Sequence, residues 1–415
     1  MVNYTRTPAL FVAAILWLVA CTPAQKANEL LSLELVSKVD HLAISAAREP
    51  MLAVHPNGTF FVAAYGRQDT GTDWTVPPLL WSSDNGGKNW QLVDVGTSED
   101  GAQGNSDTDL TIAADGTIYY VSMGFNRGTR AGTHVTMGVS KDAGNSWWWQ
   151  MLSQTEFDDR PWVVVAPDNA VHTIWNDGAG IPYFISQDGG ISWQEQPRIT
   201  NAGGSSHLAV GPRGELAVRV SNLSASGNSF DEGLDAIAVS TDGGQTWASR
   251  DIPGNIEWDP TFSDPTKIMR WVEPLAFGPD STLYHLWSEG VNLILGQSED
   301  LGETWRRQII FTSDGVSFFP LLTANDTGQL LASWYVMQDG ALTGRVAHVD
   351  TTRQNPAAVV SEPLQLQAWN GDSPDTAGEY LTAEFLPNGD IGAVTTIQDA
   401  ANNRNGLTFW RLRLQ

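Results

Sequence analysis

The chain has 415 residues, with 40 Gly, 18 Trp and 17% charged residues, and its formal net charge is −24. This composition is typical of a large all-β architecture, in which Gly, Asn and Asp form turns while aromatic and β-branched residues form strands. The excess of acidic residues excludes a nucleic-acid-binding protein, because the neutralisation of phosphates needs clustered Lys and Arg. It also disfavours attachment to anionic membranes by charge.

The amino terminus has the pattern of an export signal. Arg6 precedes an apolar run over residues 9–20, which ends at Cys21, the only cysteine in the sequence. The run is shorter than the roughly 20 residues of a membrane span and matches the layout of a secretory signal. Leu18-Val19-Ala20-Cys21 resembles a bacterial lipobox, so we expect cleavage before Cys21 and a lipid on its thiol. A plain signal peptide is the alternative.

This interpretation divides the chain into three parts. Residues 1–20 are the predicted signal peptide, residues 21–28 are the lipidated cysteine with a short tether, and residues 29–415 form one domain. The protein is therefore expected in the bacterial cell envelope, where the lipid would anchor it at the outer membrane or at the cell surface. A single cysteine forms no internal disulfide, so a large core has to stabilise the domain.

A short signature recurs along the first three quarters of the chain. Four copies fit Ser-x-Asp-x-Gly-x-Ser/Thr-Trp and a fifth, earlier copy is slightly altered; they span residues 83–90, 140–147, 186–193, 240–247 and 298–305. Self-similarity at a regular spacing is the mark of a repeat architecture. Within each copy, the Asp and Ser side chains are suited to cap backbone N–H groups of a turn, and Gly accepts positive φ.

A second element recurs seven times. It is an apolar strand, a turn rich in Pro, Asp, Asn and Gly, and a second strand, with copies at residues 51–58, 110–116, 163–169, 208–214, 275–280, 321–328 and 383–389. Alternation of apolar residues at period two on both sides of a turn predicts hairpins. In the first five units a third strand leads into the signature and a fourth leaves it. Four strands in each repeat predict the antiparallel blades of a β-propeller.

Seven units favour seven blades, with six as the alternative if one unit is irregular. The last unit is one strand short, and the segment Leu31–Lys38 is apolar enough to supply that strand and close the ring. The signatures would lie at the outer ends of blades, away from the axis. Their carboxylates, Asp142, Asp188, Asp242 and Asp300, are therefore interpreted as structural and not as catalytic.

The candidate chemistry lies in the loops that lead into each innermost strand, which we call inlet loops. In a propeller these loops surround one end of the axis, and here they carry Arg48-Glu49, Asp107, Asp109, Asp158-Asp159-Arg160, His207, Arg270, Glu273 and Glu379-Tyr380. Charges that share a cleft shift one another's pKa. No zinc-ligand spacing and no nucleotide-binding Gly-rich loop occurs, so no metal or cofactor is expected. A Ca²⁺ site at Asp107, Asp109, Asp158 and Asp159 is a weaker alternative, since their spacing lacks a cation-loop pattern.

The signatures are Asp boxes, and their tandem arrangement behind an export signal resembles the sialidase (neuraminidase) superfamily. Three further matches carry the resemblance. Arg48-Glu49-Pro50 resembles the Arg-x-Pro at the first inner strand, Arg67–Asp73 occupies the place of the acidic loop, and Tyr380 precedes a Leu-Pro-x-Gly-x-Ile-Gly run. The resemblance implies a β-propeller that acts on glycans, most simply a retaining exo-sialidase.

The resemblance also implies residue roles. Tyr380 would be the nucleophile, because a carboxylate nucleophile would be repelled by an anionic sugar. Asp69 or Asp73 would serve as acid and base, and Glu273 or Glu215 would activate Tyr380. Arginine pairs with a carboxylate through its planar fork. The residues expected to bind substrate are Arg48, Arg160, Arg219, Arg270 and His207.

Two other functions remain open from the sequence. A non-catalytic surface propeller that binds a glycan or a protein partner is favoured by the seven units, because fold does not determine chemistry. A polysaccharide lyase that uses His207 or Tyr380 as its base is the weaker alternative. The expected partner is thus a glycan or glycoconjugate, sialylated in the leading hypothesis.

Overall fold

The computed structural model describes residues 30–40, 48–66, 75–221, 236–253, 273–352, 356–366, 378–399 and 404–414. The described part is all β, apart from one short 3-10 turn at Ser98–Asp100. None of its helical segments is long and apolar enough to cross a membrane.

The strands form seven sheets. Strand β1 (Leu31–Lys38) comes first, and blade 1 follows with β2 (Arg48–Val54), β3 (Phe60–Tyr65), β4 (Leu79–Ser83) and β5 (Gln91–Leu92). Blade 2 consists of β6 (Thr108–Ile112), β7 (Ile118–Asn126), β8 (Ala131–Ser140) and β9 (Trp148–Ser153). Blade 3 consists of β10 (Asp158–Val165), β11 (Val171–Asp177), β12 (Ile181–Ser186) and β13 (Gln194–Thr200). Blade 4 consists of β14 (Gly204–Val210), β15 (Leu216–Ser221), β16 (Ala236–Ser240) and β17 (Ala248–Asp251).

The remaining blades continue the pattern. Blade 5 consists of β18 (Leu275–Phe277), β19 (Leu283–Glu289), β20 (Asn292–Ser298) and β21 (Arg306–Thr312). Blade 6 consists of β22 (Val316–Ala324), β23 (Gln329–Gln338), β24 (Ala341–Asp350) and β25 (Ala357–Val360), and the short β26 (Leu364–Gln365) also pairs with β24. Blade 7 consists of β27 (Thr382–Phe385), β28 (Ile391–Asp399), β29 (Arg404–Leu414) and β1.

Every blade is antiparallel, and the strands of the first six follow one another in chain order. This confirms the prediction of a β-propeller and decides the blade count in favour of seven. Blade 7 is closed by β1, which pairs antiparallel with β29 from Leu31 opposite Leu414 to Lys38 opposite Thr408. The predicted closing segment thus has the bounds expected from the sequence. The two ends of the described chain meet in one sheet.

The direction of the strands gives the propeller two distinct ends. All innermost strands start at their inlet loops, and we call this end of the axis the mouth. They run to the first hairpin turn of each blade, and we call that end the far face. The Asp boxes join third to fourth strands and therefore also lie at the far face, as the positions of Ser140–Trp147 between β8 and β9 illustrate. The mouth and the boxes are thus at opposite ends.

The Asp boxes have the hydrogen bonds expected from their sequence. In the third box, Asp188 accepts bonds from Ser192 N at 2.9 Å and from Ser192 Oγ at 2.6 Å, while Gly190 N donates to Ser186 Oγ at 2.8 Å. These bonds lower the pKa of Asp188 to about 2. In the altered first box, Asn85 takes the place of the Asp and accepts from Asn89 N at 2.9 Å. The box carboxylates therefore act as turn caps, in line with their predicted structural role.

Each box also contacts the preceding blade. In blade 4, the box places Gly243 O 3.1 Å from Tyr183 Oη of blade 3, and Tyr183 Oη lies 2.7 Å from His172 Nδ1. The first hairpin turn of blade 2 also contacts the preceding blade, because His55 of blade 1 lies 2.9 Å from Gly116 O. His55 directly, and His172 through Tyr183, thus link turns of neighbouring blades.

Candidate functional site

The inlet loops bring charged side chains from four blades to the mouth. Blade 1 supplies Arg48, Glu49 and Tyr65; blade 2 supplies Asp107; blade 3 supplies Asp159 and Arg160; and blade 7 supplies Glu379 and Tyr380. We call these eight residues the mouth cluster. The charges of its members act on one another's pKa, so they share one electrostatic environment.

Two members of the mouth cluster have a strained backbone. Glu49 and Arg160 have φ of 53° and 49°, in the left-handed region that non-Gly residues seldom adopt, and each directly precedes a proline. In both blades the strand register shifts at this position, between Arg48 and Met51 and between Asp159 and Trp162. A bulge re-aims a side chain, and such strain is often stored at functional sites. Here the bulges place the carboxylate of Glu49 and the guanidinium of Arg160 in the mouth cluster.

An ion pair links blades 3 and 7, which are not neighbours in the ring. Arg160 Nη2 donates to Glu379 Oε1 at 2.7 Å, and the two side chains are only 10% and 12% exposed. Burial lowers the pKa of Arg160, but the charges of Glu379 and Asp159 outweigh this effect and raise it well above its usual value. The guanidinium is therefore permanently charged.

Glu49 lies beneath the blade 7 inlet loop. Its Oε1 accepts bonds from Tyr65 Oη and from Glu379 N, each at 3.2 Å. Burial and the charges of Asp107 and Glu379 raise the pKa of Glu49 well above its usual range, against the opposing charges of Arg48 and Arg160. Gly378 packs directly on this side chain, and a Cβ there would collide with it.

Asp107 and Tyr380 are the mouth-cluster groups best suited to proton transfer. Burial and the charge of Asp159 raise the pKa of Asp107 to about 7. Asp107 therefore holds its proton in a large fraction of molecules at neutral pH. Tyr380 is 2% exposed, and burial together with the charges of Glu379 and Asp107 raises its pKa well above the usual value. Its phenol is thus protonated at rest and needs an adjacent base to react.

Three aromatic rings form the floor of the mouth. Trp162 of blade 3 contacts Tyr380 edge to face at 5.5 Å between ring centroids, and it contacts His207 of blade 4 in the same way at 5.0 Å. Burial lowers the pKa of His207 to about 4, so its ring is neutral. Trp162 Nε1 and His207 Nδ1 are both buried without a hydrogen-bond partner among the described residues. Buried polar atoms rarely stay unpaired, so this floor is suited to hold a water or a ligand hydroxyl.

Two further carboxyl groups lie deeper, on the innermost strands. Asp109 Oδ2 accepts from Val163 N at 2.9 Å, and burial raises its pKa to about 6. Glu384 accepts from Thr323 Oγ1 at 3.4 Å, and burial raises its pKa to about 8, with a smaller contribution from the charge of Asp109. Acidic groups thus continue below the mouth cluster along the axis.

Arg219 and Glu273 form a buried ion pair away from the axis. The side chains are 0% and 2% exposed, and Arg219 Nη2 lies 2.9 Å from Glu273 Oε2. His285 Nε2 lies 3.2 Å from the same oxygen. Since Arg219 belongs to β15 and His285 to β19, the carboxylate of Glu273 points between the second strands of blades 4 and 5. The structure therefore does not bring Glu273 to Tyr380, and Glu215 instead pairs with Arg213 at 2.9 Å.

Four predicted site residues lie outside the described part of the chain. They are Asp69, Asp73, Arg270 and Cys21. The acid and base role of Asp69 or Asp73, the binding of substrate by Arg270, the signal peptide and the lipid anchor all stay predictions. Within the described part, no group of three or more His, Cys, Asp or Glu side chains is arranged to hold a metal ion.

The sequence places Glu49, Asp107 and Glu379 in the inlet loops but assigns none of them a role in hydrolysis. Nothing in their spacing separates these three acids from the other carboxylates of the loops. A usable signal existed at two positions. A charged residue directly before Pro50 or Pro161 at the start of a strand marks the bulges that carry Glu49 and Arg160.

Comparisons with known proteins agree with the fold. The BNR/Asp-box repeat family matches residues 184–195 and 238–249. A protein of unknown function from Dyadobacter fermentans is similar in structure, with a TM-score of 0.53, 12% identity, and coverage of 93% of this chain and 99% of that one. A fungal alcohol oxidase of the AA5 family, solved with copper, has a TM-score of 0.58 and 10% identity, covering 93% of this chain and 76% of its own.

A Hadza microbial sialidase has a TM-score of 0.47 and 15% identity, and the similarity covers 70% of this chain and 63% of the sialidase. No curated protein matches the sequence. The predicted Asp-box repeat and the predicted propeller fold are confirmed. At these identities the structural likenesses concern the fold alone.

Proposed function

We propose that this propeller is a glycoside hydrolase whose active site is the mouth cluster, and that it cleaves glycosides of a sugar bearing a carboxylate, sialosides being the first class to test. The arrangement of Arg160, Glu379 and Tyr380 carries the proposal. Glu379 is the immediate chain neighbour of Tyr380 and is held by Arg160 at 2.7 Å. A substrate carboxylate would compete for the same guanidinium, because arginine pairs with carboxylates through its planar fork.

In this mechanism the substrate carboxylate takes Arg160 from Glu379. The released Glu379 then accepts the proton of Tyr380, whose raised pKa makes such a base necessary. Tyr380 Oη attacks the anomeric carbon and forms a bond to it while the bond to the leaving oxygen breaks. A neutral sugar would leave the Arg160–Glu379 pair closed, which makes the charge of the substrate part of the activation.

Asp107 is suited to be the acid and base of the reaction. Its pKa of about 7 lets it give its proton to the leaving oxygen and then accept a proton from water. That water attacks the anomeric carbon while the bond to Tyr380 Oη breaks, and Glu379 returns the proton to Tyr380. Two successive displacements retain the configuration. The sequence assigned this role to Asp69 or Asp73, and Asp107 is the candidate among the described residues.

A test compares initial rates on a fluorogenic sialoside, a glucuronide and a galactoside for the purified protein and three variants. We expect the anionic substrates to be cleaved, and Asp107→Asn and Tyr380→Phe to lower kcat by about 100-fold or more. Asp314→Asn is the matched control, because Asp314 is an exposed acid in the inlet loop of blade 6; its rate should be unchanged.

Circular dichroism and Tm show whether each variant is folded. Cleavage of the galactoside alone would contradict the role of Arg160. Failure of the folded protein on all three substrates would favour the non-catalytic binding propeller, which the 2% exposure of Tyr380 also supports.

A further inference from the structure

The far face contains a cavity of about 350 Å³, at the opposite end of the axis from the mouth cluster. It is bounded by the ends of the innermost strands and the first hairpin turns of blades 2 to 6. Ile112, Val165, Val210 and Phe277 form apolar walls. The volume is within the range of ligand pockets, and the lining is suited to an apolar group.

The turns around this cavity carry a ring of acidic residues. Asp326 lines the cavity itself, while Asp115, Asp168 and Asp280 are each next in sequence to a lining residue. Asp115, Asp168, Asp280 and Asp326 are all exposed. A hydrogen bond from Thr117 N lowers the pKa of Asp115. Burial raises the pKa of Asp280, but bonds from Thr282 outweigh it and leave the pKa below its usual value.

Basic charge balances this ring only in part. Within the five turns, residues 113–117, 166–170, 211–215, 278–282 and 325–329, the one basic residue is Arg213. Its guanidinium Nε lies 2.9 Å from Glu215 Oε1, in the same turn, and its charge also acts on Asp280, as the charge of Lys141 acts on Asp115. The far face therefore presents a cavity with apolar walls and an excess of negative charge around it.

We propose that the far-face cavity is a docking site for a basic peptide segment, with an apolar side chain seated in the cavity and Lys or Arg residues on both sides of it. Charge complementarity argues for this occupant. The acidic residues belong to turns of blades 2, 3, 5 and 6, so they surround the cavity on more than one side. An extended peptide meets several of them at once, whereas a small amine meets one.

The test measures fluorescence anisotropy of labelled peptides with the full chain at about 0.15 M salt, where distant surface charges are screened. The probes are Lys-Lys-Leu-Lys-Lys, Lys-Lys-Ser-Lys-Lys and Glu-Glu-Leu-Glu-Glu, and phenethylamine serves as a competitor. We expect the first peptide to bind about 10-fold more tightly than the second, and the third not to bind.

Two variants and a matched control locate the site. Ala114→Trp fills the cavity from an exposed lining position, and Asp326→Lys reverses one rim charge; each should raise the Kd about 10-fold. Asp314→Lys makes the same charge change at the mouth end and should leave the Kd unchanged.

If Asp314→Lys raised the Kd as much as Asp326→Lys, peptide binding would be explained by general attraction to an acidic protein, and the proposal would be overturned. It would also be overturned if Ala114→Trp left the Kd unchanged, if the Ser peptide bound equally well, or if phenethylamine displaced the peptide at similar concentration. The outcome is separate from glycoside hydrolysis, because no residue of the mouth cluster is altered.

Discussion

The partner of a buried charged residue at a blade interface decides whether that charge is structural or available for chemistry. Arg219 and Glu273 are both buried and paired with each other, and His285 adds a third polar side chain to the same group. Taking two charges out of water costs several kcal/mol each, which close pairing offsets. A substrate would have to break this pair to use Arg219, so we interpret it as internal support for blades 4 and 5.

The pair gives a stability prediction. Glu273→Gln leaves the Arg219 charge buried without its counter-ion, so the free energy of unfolding should fall by about 3 kcal/mol or more. Glu289→Gln is the matched control, since Glu289 pairs with Arg307 at 2.7 Å on the surface, with side chains 36% and 44% exposed. We expect a loss below about 1 kcal/mol there. Urea unfolding measures both.

A different result would restore the role that the sequence assigned to Glu273. If Glu273→Gln unfolded like the Glu289 variant and yet abolished hydrolysis, its carboxylate would belong to the reaction and not to the interface.

At the scale of elements, each Asp box connects its own blade to the preceding one. The Asp and Ser side chains of the box hydrogen-bond to the backbone of its turn, and its glycines allow the turn to pack closely against the preceding blade. In the box of blade 4, Gly243 and Gly244 both have positive φ, of 71° and 86°. Only Gly244 faces Tyr183, and a Cβ there would overlap the phenol oxygen that bonds to Gly243 O and His172.

The two glycines provide a matched pair of variants that tests whether the contact between the box and Tyr183 stabilises the fold. Gly243→Ala should cost about 1–2 kcal/mol for the left-handed backbone alone, since a Cβ there has nothing within 4 Å. Gly244→Ala pays the same backbone cost and also displaces Tyr183, so its loss should be clearly larger. Thermal or urea unfolding gives both values. Equal losses of unfolding free energy in the two variants would mean that the contact of the box with blade 3 does not stabilise the protein.

These elements show why the fold was predictable from the sequence while much of the site was not. A box needs only residues within eight positions, so Ser140, Asp142 and Gly144 specify it locally. The closing strand followed from a missing partner in the last unit. By contrast, Arg160 meets Glu379 across 219 positions of sequence. Only the assembled ring decides that contact, as it decides that Glu273 faces Arg219 and not Tyr380.

At the scale of the whole molecule, two sets of carboxyl groups respond to pH in opposite directions. Burial raises the pKa of four groups on or near the axis, to about 7, 6, 6 and 8 for Asp107, Asp109, Asp158 and Glu384. Turn hydrogen bonds lower the pKa of three box residues to about 2, namely Asp188, Asp242 and Asp300. The first set binds protons more tightly when folded, and the second set binds them less tightly.

The sign of the pH dependence follows. Between about pH 8 and 5 these carboxyl groups hold more protons in the folded state than in the unfolded state, so stability should rise as the pH falls, by up to about 1.4 kcal/mol per pH unit for each titrating group. Below about pH 6.5 His172 and His207, whose pKa burial lowers to about 4, oppose this trend, but the carboxyl groups outnumber them. Below about pH 4 the unfolded box residues take up protons first, and stability should be lost toward pH 2. Calorimetric Tm from pH 3 to 9 should therefore peak near pH 4–5.

A variant distinguishes the contribution of the axial carboxyl groups to the pH dependence of stability from the contribution of the net charge of the chain. Glu384→Gln keeps an acceptor for Thr323 and should reduce the slope between pH 6 and 8. Glu299→Gln removes one exposed acid of the same type and should leave the slope as it is. A Tm that is highest at pH 8, or equal slopes in both variants, would contradict this assignment.

The pairing of β1 with β29 sets an order of events in time. The antiparallel pairing of β1 forms only when β29 exists, so the first described strand waits for the last. Each of blades 1 to 6 can form from strands that follow one another in the chain. Until β29 joins, however, the ring stays open and β1 remains an unpaired edge, which is a site of misassociation. The protein is therefore most vulnerable to misassociation while the ring is open, whatever the stability of any one blade.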